Sequence, residues 1–188
     1  RKIAAPYVFD GRKFIKNGIV SMDESGSITG IRTTGERMQE ESGMQYYNGI
    51  LSPGFVNAHC HLELSHMKGE IEEGREMDNF IHAVVSYRHS NREKIQEAIR
   101  AGDKEMQDEG IVAVGDISNT DHSFACKKDS PLYYHSFIEI FHMVNAAAMD
   151  TWNEGKALHA KARNEYGLKA SITPHASYTV SEQLFSIL

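Results

Sequence analysis

Apolar positions change their spacing along the chain. From Ile3 to Ile31 they come in short runs, Ala5-Pro6-Tyr7-Val8-Phe9, Lys13-Phe14-Ile15, Ile19-Val20-Ser21-Met22 and Ser27 to Ile31, separated by Asp10-Gly11, Asn17-Gly18 and Asp23 to Gly26. Asp-Gly and Asn-Gly tolerate positive φ, so this spacing predicts tight turns and a small antiparallel sheet too slight to bury a core by itself. Residues 34–49, rich in Glu, Ser, Gly and Gln, read as a linker with Tyr46-Tyr47 as a last strand. Ile50-Leu51 is a short apolar approach and Pro53-Gly54 a break. Phe55-Val56-Asn57-Ala58 then reads as a buried strand.

Beyond it the period becomes helical. Met77, Phe80, Ile81, Val84 and Val85 predict an amphipathic helix over 76–88 whose stripe is core. Asn91 offers an N-cap to a second helix over 92–108, striped by Ile95, Ala98, Ile99 and Met106, and Gly110 stops it. The run from Ile111 is continuously apolar up to Asp116, as in strands of parallel sheets. A polar loop over 118–131 leads to a strand over 132–141. Asp150 or Thr151 would cap a helix over 152–166 ended by Gly167, with a strand over 168–173 after it, and Ser181 caps a final helix. Helix, glycine and buried strand in alternation is the repeating α/β unit.

Charge and cysteine content narrow the function classes. With 20 Lys and Arg against 26 Asp and Glu the formal charge is −6, and no basic stripe is present, which argues against nucleic-acid binding. No run of apolar residues approaches bilayer length, so no membrane association is expected. The two cysteines, Cys60 and Cys126, form no disulfide framework, and a reducing cytoplasm is the expected location.

The dense chemistry lies in His59-Cys60-His61, at the end of the strand that begins at Phe55. Side chains two apart on a strand share a face, so the two imidazoles converge while Cys60 points away. Zinc and similar ions accept neutral histidine nitrogen, so the pair is half a metal site. In a chain with ten histidines such a pair also arises by chance, as two satisfied histidines at a strand end.

The whole segment Ser52-Pro53-Gly54-Phe55-Val56-Asn57-Ala58-His59-Cys60-His61-Leu62-Glu63 resembles the first barrel strand of the amidohydrolase superfamily, in its deaminase and chlorohydrolase-like branch. Gly110-x-x-x-Val114-Gly115-Asp116 is similar to strand 2 of that family, and Pro174-His175-Ala176-Ser177-Tyr178-Thr179-Val180-Ser181 to a later segment whose histidine faces substrate. The resemblance implies an α/β fold: the first four strands or so of a TIM (β/α)8 barrel over 49–188, truncated, preceded over 1–48 by part of a β-sandwich and a linker. A complete barrel needs roughly 250 residues, so the chain of 188 is expected to be an N-terminal half, with both ends cut.

The resemblance also implies the chemistry. His59 and His61 would hold a divalent metal, zinc first, with iron or nickel as alternatives. His175 would contact substrate, and the remaining ligands, acid and base would lie beyond Leu188, leaving this fragment inactive alone. Loops at strand C-termini build barrel active sites, which adds Glu63 and Glu139 as substrate-binding candidates. Glu63 as a solvated loop carboxylate is an equal alternative. Glu139 stands near where relatives that deaminate adenosine-type compounds carry an arginine.

The loop His61-Leu62-Glu63-Leu64-Ser65 and the helix ending Tyr87-Arg88 resemble bacterial members of the aminodeoxyfutalosine deaminase group. Hydrolysis of a non-peptide carbon–nitrogen bond follows, with deamination of an aminopurine or similar aminoheterocycle first. An amide, cyclic imide or chloro-heterocycle hydrolase is the alternative of the same fold, and a noncatalytic fragment the alternative of another class. The expected partners are a small-molecule substrate and either the missing C-terminal half or a second copy in a homodimer.

Overall fold

The computed structural model describes residues 1–74, 76–88 and 90–188, and the chain forms two compact units, Arg1–Gly54 and Phe55–Leu188. The first is a five-stranded sheet. Its strands are β1 (Lys2–Phe9), β2 (Phe14–Met22), β3 (Ile28–Thr33), β4 (Met44–Tyr46) and β5 (Ile50–Leu51). β1, β2 and β3 form an antiparallel meander, while β4 and β5 both pair parallel with β1. Ala4, Ala5, Val8, Ile19 and Val20 are its buried hydrophobic residues.

The turn at Asp10-Gly11 forms as the dipeptide predicts. The Asp10 carboxylate accepts from the Arg12 and Lys13 amides, which holds its pKa below the ordinary carboxylate value. Asn17-Gly18 does not turn the chain, and both residues lie inside β2. Pro6, which has no N–H to give to a ladder, falls in the gap between the pairs Ala5↔Gly18 and Tyr7↔Lys16. Opposite that gap Asn17 takes φ 49°, and the strand continues.

The second unit is a four-stranded, wholly parallel sheet in the order β6 (Phe55–Cys60), β7 (Ile111–Ser118), β8 (Tyr133–Ile140) and β9 (Lys169–Pro174). Sequential parallel strands joined by helices are the arrangement with which a (β/α)8 barrel begins. The connections carry a 3₁₀ helix (Leu62–Met67), α1 (Met77–Tyr87), α2 (Arg92–Asp108), α3 (Phe124–Asp129) and α4 (Ala148–Asn164), and α5 (Glu182–Ile187) follows β9. Among the described residues no helix is long and apolar enough to cross a membrane.

One face of this sheet carries the core. In β8 burial alternates strictly, with Tyr134, Ser136, Ile138 and Ile140 buried and the residues between them not. Ile95 and Ile99 of α2 pack on Val114, Leu132 and Tyr134. Phe124 and Ala162 pack with Ile138, and Ala148 and Leu184 with Ile140. Asn91 caps α2 by accepting from the Glu93 amide, and Ser181 caps α5 by accepting from the Leu184 amide.

Other expectations require correction. The segment Phe55–Ala58 is an edge strand whose Phe55 and Val56 are 61% and 65% exposed. The α1 stripe is not core, because no residue of that helix is buried. Helix α4 starts at Ala148, directly after a 3₁₀ turn over Asn145–Ala147, so neither Asp150 nor Thr151 is its cap.

Candidate active site

His59 and His61 leave the C-terminal end of β6, Ile117 lies near the end of β7, Glu139 near the end of β8, and His175 directly after β9. All five line one cleft of about 330 Å³. The parallel sheet makes this meeting unavoidable, because equivalent strand ends lie side by side. The two imidazoles meet edge to face with centroids 5.2 Å apart. Cys60, on the other face, packs against the apolar cluster beneath the helices. Burial, reinforced by Asp116, pushes its thiol up to about 12, so Cys60 is neither a thiolate ligand nor a nucleophile near neutral pH.

His61 Nδ1 is buried without a hydrogen-bond partner, and among the described residues no hydrogen bond reaches a ring nitrogen of His59 or His61. Burial holds His61 below the ordinary histidine range against the opposing pull of Glu139, and His59 pushes the same way as burial. A neutral imidazole with unengaged nitrogen fits a metal donor. Among the described residues, however, no group of three or more His, Cys, Asp or Glu is placed to hold an ion, so the chain presents a two-histidine half-site.

His175 Nδ1 lies 2.8 Å from Glu139 Oε1, and its ring packs against Phe141. The Asn119 side-chain amide donates to Glu139 Oε2 at 3.0 Å and to the Glu139 carbonyl at 3.2 Å, and its oxygen accepts from Arg88. Glu63 is not brought to the cleft. It is 3% exposed, and its carboxylate accepts from the Asn119 and Thr120 amides and the Thr120 hydroxyl, fastening the loop after β7 to the 3₁₀ helix after β6. His66, also buried, engages the Tyr87 carbonyl.

Residues for which the sequence suggests no role in the site support this arrangement. Asp116 is fully buried and accepts from the Leu62 amide at 2.7 Å, which fixes the backbone directly after His61. Its charge is met by Lys127, equally buried, whose ammonium also donates to Ser118 and Ser136. An aspartate closing an apolar, buried strand needs such a partner, and that was the available signal. Lys127 gave none, since it lies in the polar stretch 118–131 that reads as a loop.

A profile of the amidohydrolase family matches residues 50–188. The adenosine deaminase of Helicobacter pylori (strain ATCC 700392 / 26695) is 28% identical over 139 residues, 74% of this chain and 34% of that protein. The crystal structure of H. pylori aminofutalosine deaminase in complex with methylthio-coformycin superposes with a TM-score of 0.75 at 23% identity, covering 98% of this chain and 46% of that one. The atrazine chlorohydrolase TrzN of Arthrobacter aurescens TC1, complexed with zinc, gives 0.70 at 16% identity, over 98% and 48%. The chain thus spans half or less of the length of these relatives, and the two structures share its fold. On the match to three quarters of its residues, the chain belongs to the amidohydrolase family.

Proposed function

We propose that the protein is a metal-dependent hydrolase of a non-peptide carbon–nitrogen bond that deaminates an aminopurine or a related aminoheterocycle. The observation that carries this reading is the convergence of His59, His61, Glu139 and His175 on one cleft at the C-terminal ends of parallel strands. The family match and the deaminases among its relatives support it.

His59 and His61 would hold a divalent ion, zinc in the first instance, the ion with which the chlorohydrolase is complexed. When bound, such an ion supplies Lewis acidity that brings the pKa of water toward neutrality. A catalytic zinc takes three protein ligands, so the half-site is completed by residues outside this set. His175, 45% exposed at its side chain, faces the substrate from β9, and Phe137 and Ile117 provide apolar wall for a planar ring. The N-terminal sheet serves as one layer of a β-sandwich in this reading.

Ammonia release from a panel of adenine, adenosine, guanine and 6-amino nucleosides by the intact, zinc-loaded protein tests the proposal. Release from at least one compound, lost on chelation, is expected. Chloro-triazines followed by chloride release, and cyclic imides followed by loss of the intact ring, identify the alternative chemistry, and turnover of those alone overturns the aminopurine assignment.

A further inference from the structure

Both oxygens of the Glu139 carboxylate are engaged inside the protein, Oε1 by His175 Nδ1 and Oε2 by Asn119 Nδ2. The orientation of the Asn119 amide is determined by chemistry. Arg88 can only donate, so the Asn119 atom facing its Nη2 at 3.2 Å must be the oxygen, and the nitrogen then faces Glu139. The Asn119 backbone is held in place by Glu63. A carboxylate that accepts from Asn119 on one side also requires a donor from His175 on the other. We infer that Glu139 is a positioning residue. With Asn119 and Arg88 it holds a proton on Nδ1 of His175, so that in the neutral ring Nε2 meets the cleft as a hydrogen-bond acceptor.

Among the described residues Nε2 of His175 has no hydrogen-bond partner, while the ring lines the cleft. An acceptor there selects a substrate that offers an N–H or O–H at that point, such as an exocyclic amine or a sugar hydroxyl, and leaves a bare ring nitrogen unpaired. That last step rests on the deaminase reading. The tautomer itself does not.

Glu139→Gln separates positioning from mere filling of space. In this near-isosteric variant Asn119 still presents a donor, so the new amide must turn its oxygen to Asn119 and its NH₂ to His175. That makes Nδ1 an acceptor and moves the proton to Nε2. Adding Asn119→Asp places an acceptor opposite, turns the amide round, and returns the proton to Nδ1. Ring-¹⁵N histidine spectra of the intact protein, with His175 identified by its loss in His175→Phe, read this directly.

The expected result is Nδ1–H in the native protein, Nε2–H in Glu139→Gln, and Nδ1–H again in the double variant. Because a hydrogen bond to a charged group is exchanged, each ratio should move by about tenfold or more. A native Nε2–H tautomer, or an unchanged tautomer in Glu139→Gln, overturns the inference. Reversal in the single variant without restoration in the double one overturns the part given to Asn119. The spectra require no substrate, so absence of ammonia release would sink the deaminase reading and leave the tautomer lock standing.

Discussion

Lys127 has every ammonium proton occupied, by Asp116, Ser118 and Ser136, with the Phe124 and Tyr134 rings 5.5 and 5.8 Å from its nitrogen. Both charges of the pair are withdrawn from water, so removing one leaves the other uncompensated. Lys127→Met should therefore cost about 3–5 kcal/mol, whereas Asp116→Asn combined with Lys127→Met should cost clearly less. Urea midpoints at unchanged m-value decide it, and equal losses in the two variants would rule out charge burial as the cause. Asn at 116 keeps an acceptor for the Leu62 amide, so the backbone after His61 is preserved in the double variant. At this scale the cleft histidines were legible, because strand periodicity places His59 and His61 on one face whatever packs around them. Asn119 and Arg88 were not, since their roles arise where the end of α1, the loop after β7 and the end of β8 meet.

Between elements, the approach of β6 to β7 depends on Gly115. A Cβ there would lie 2.8 Å from the Ala58 carbonyl oxygen and 3.2 Å from the Phe137 ring, and backbone cannot give way as a flexible side chain can. Gly115→Ala should destabilise the protein by about 1–3 kcal/mol and weaken zinc binding, because the strand it displaces carries His59. Gly155→Ala makes a comparably close contact, 2.6 Å, with the Ile140 side chain under α4, and should destabilise without altering zinc affinity. Thermal melts with zinc titrations separate the two, and equal zinc affinity in both variants would remove Gly115 from the site argument. Helix α2 was readable to its ends because a cap, a stripe and a stop glycine agree. Helix α1 has an equally clear stripe and buries nothing, since amphipathicity states which face seeks cover and not what covers it.

In the barrel-strand unit as a whole, β6 and β9 are edges among the described residues, and Phe55, Val56, Val112 and Tyr133 are each half exposed or more. Unpaired parallel edges and open apolar surface favour association. Residues 1–188 alone are therefore expected to self-associate by light scattering, and a compact monomer that unfolds cooperatively would contradict this. Ile99 of α2 is fully buried, so the open apolar surface belongs to α1, to the edge strand β6 and to the first residues of β7 and β8, and not to α2. The sequence by itself determined the order of strands and helices, the parallel α/β architecture and the family, because periodicity, caps and the His59–His61 and His175 segments are local properties of the chain. Only the tertiary structure decided that Glu63 fastens a loop, that Glu139 grips His175, and that Asp116 and Lys127 form a buried pair. Each of these is a contact between residues 11 to 57 positions apart, which depends on how strand ends meet in space and leaves no spacing in the chain to read.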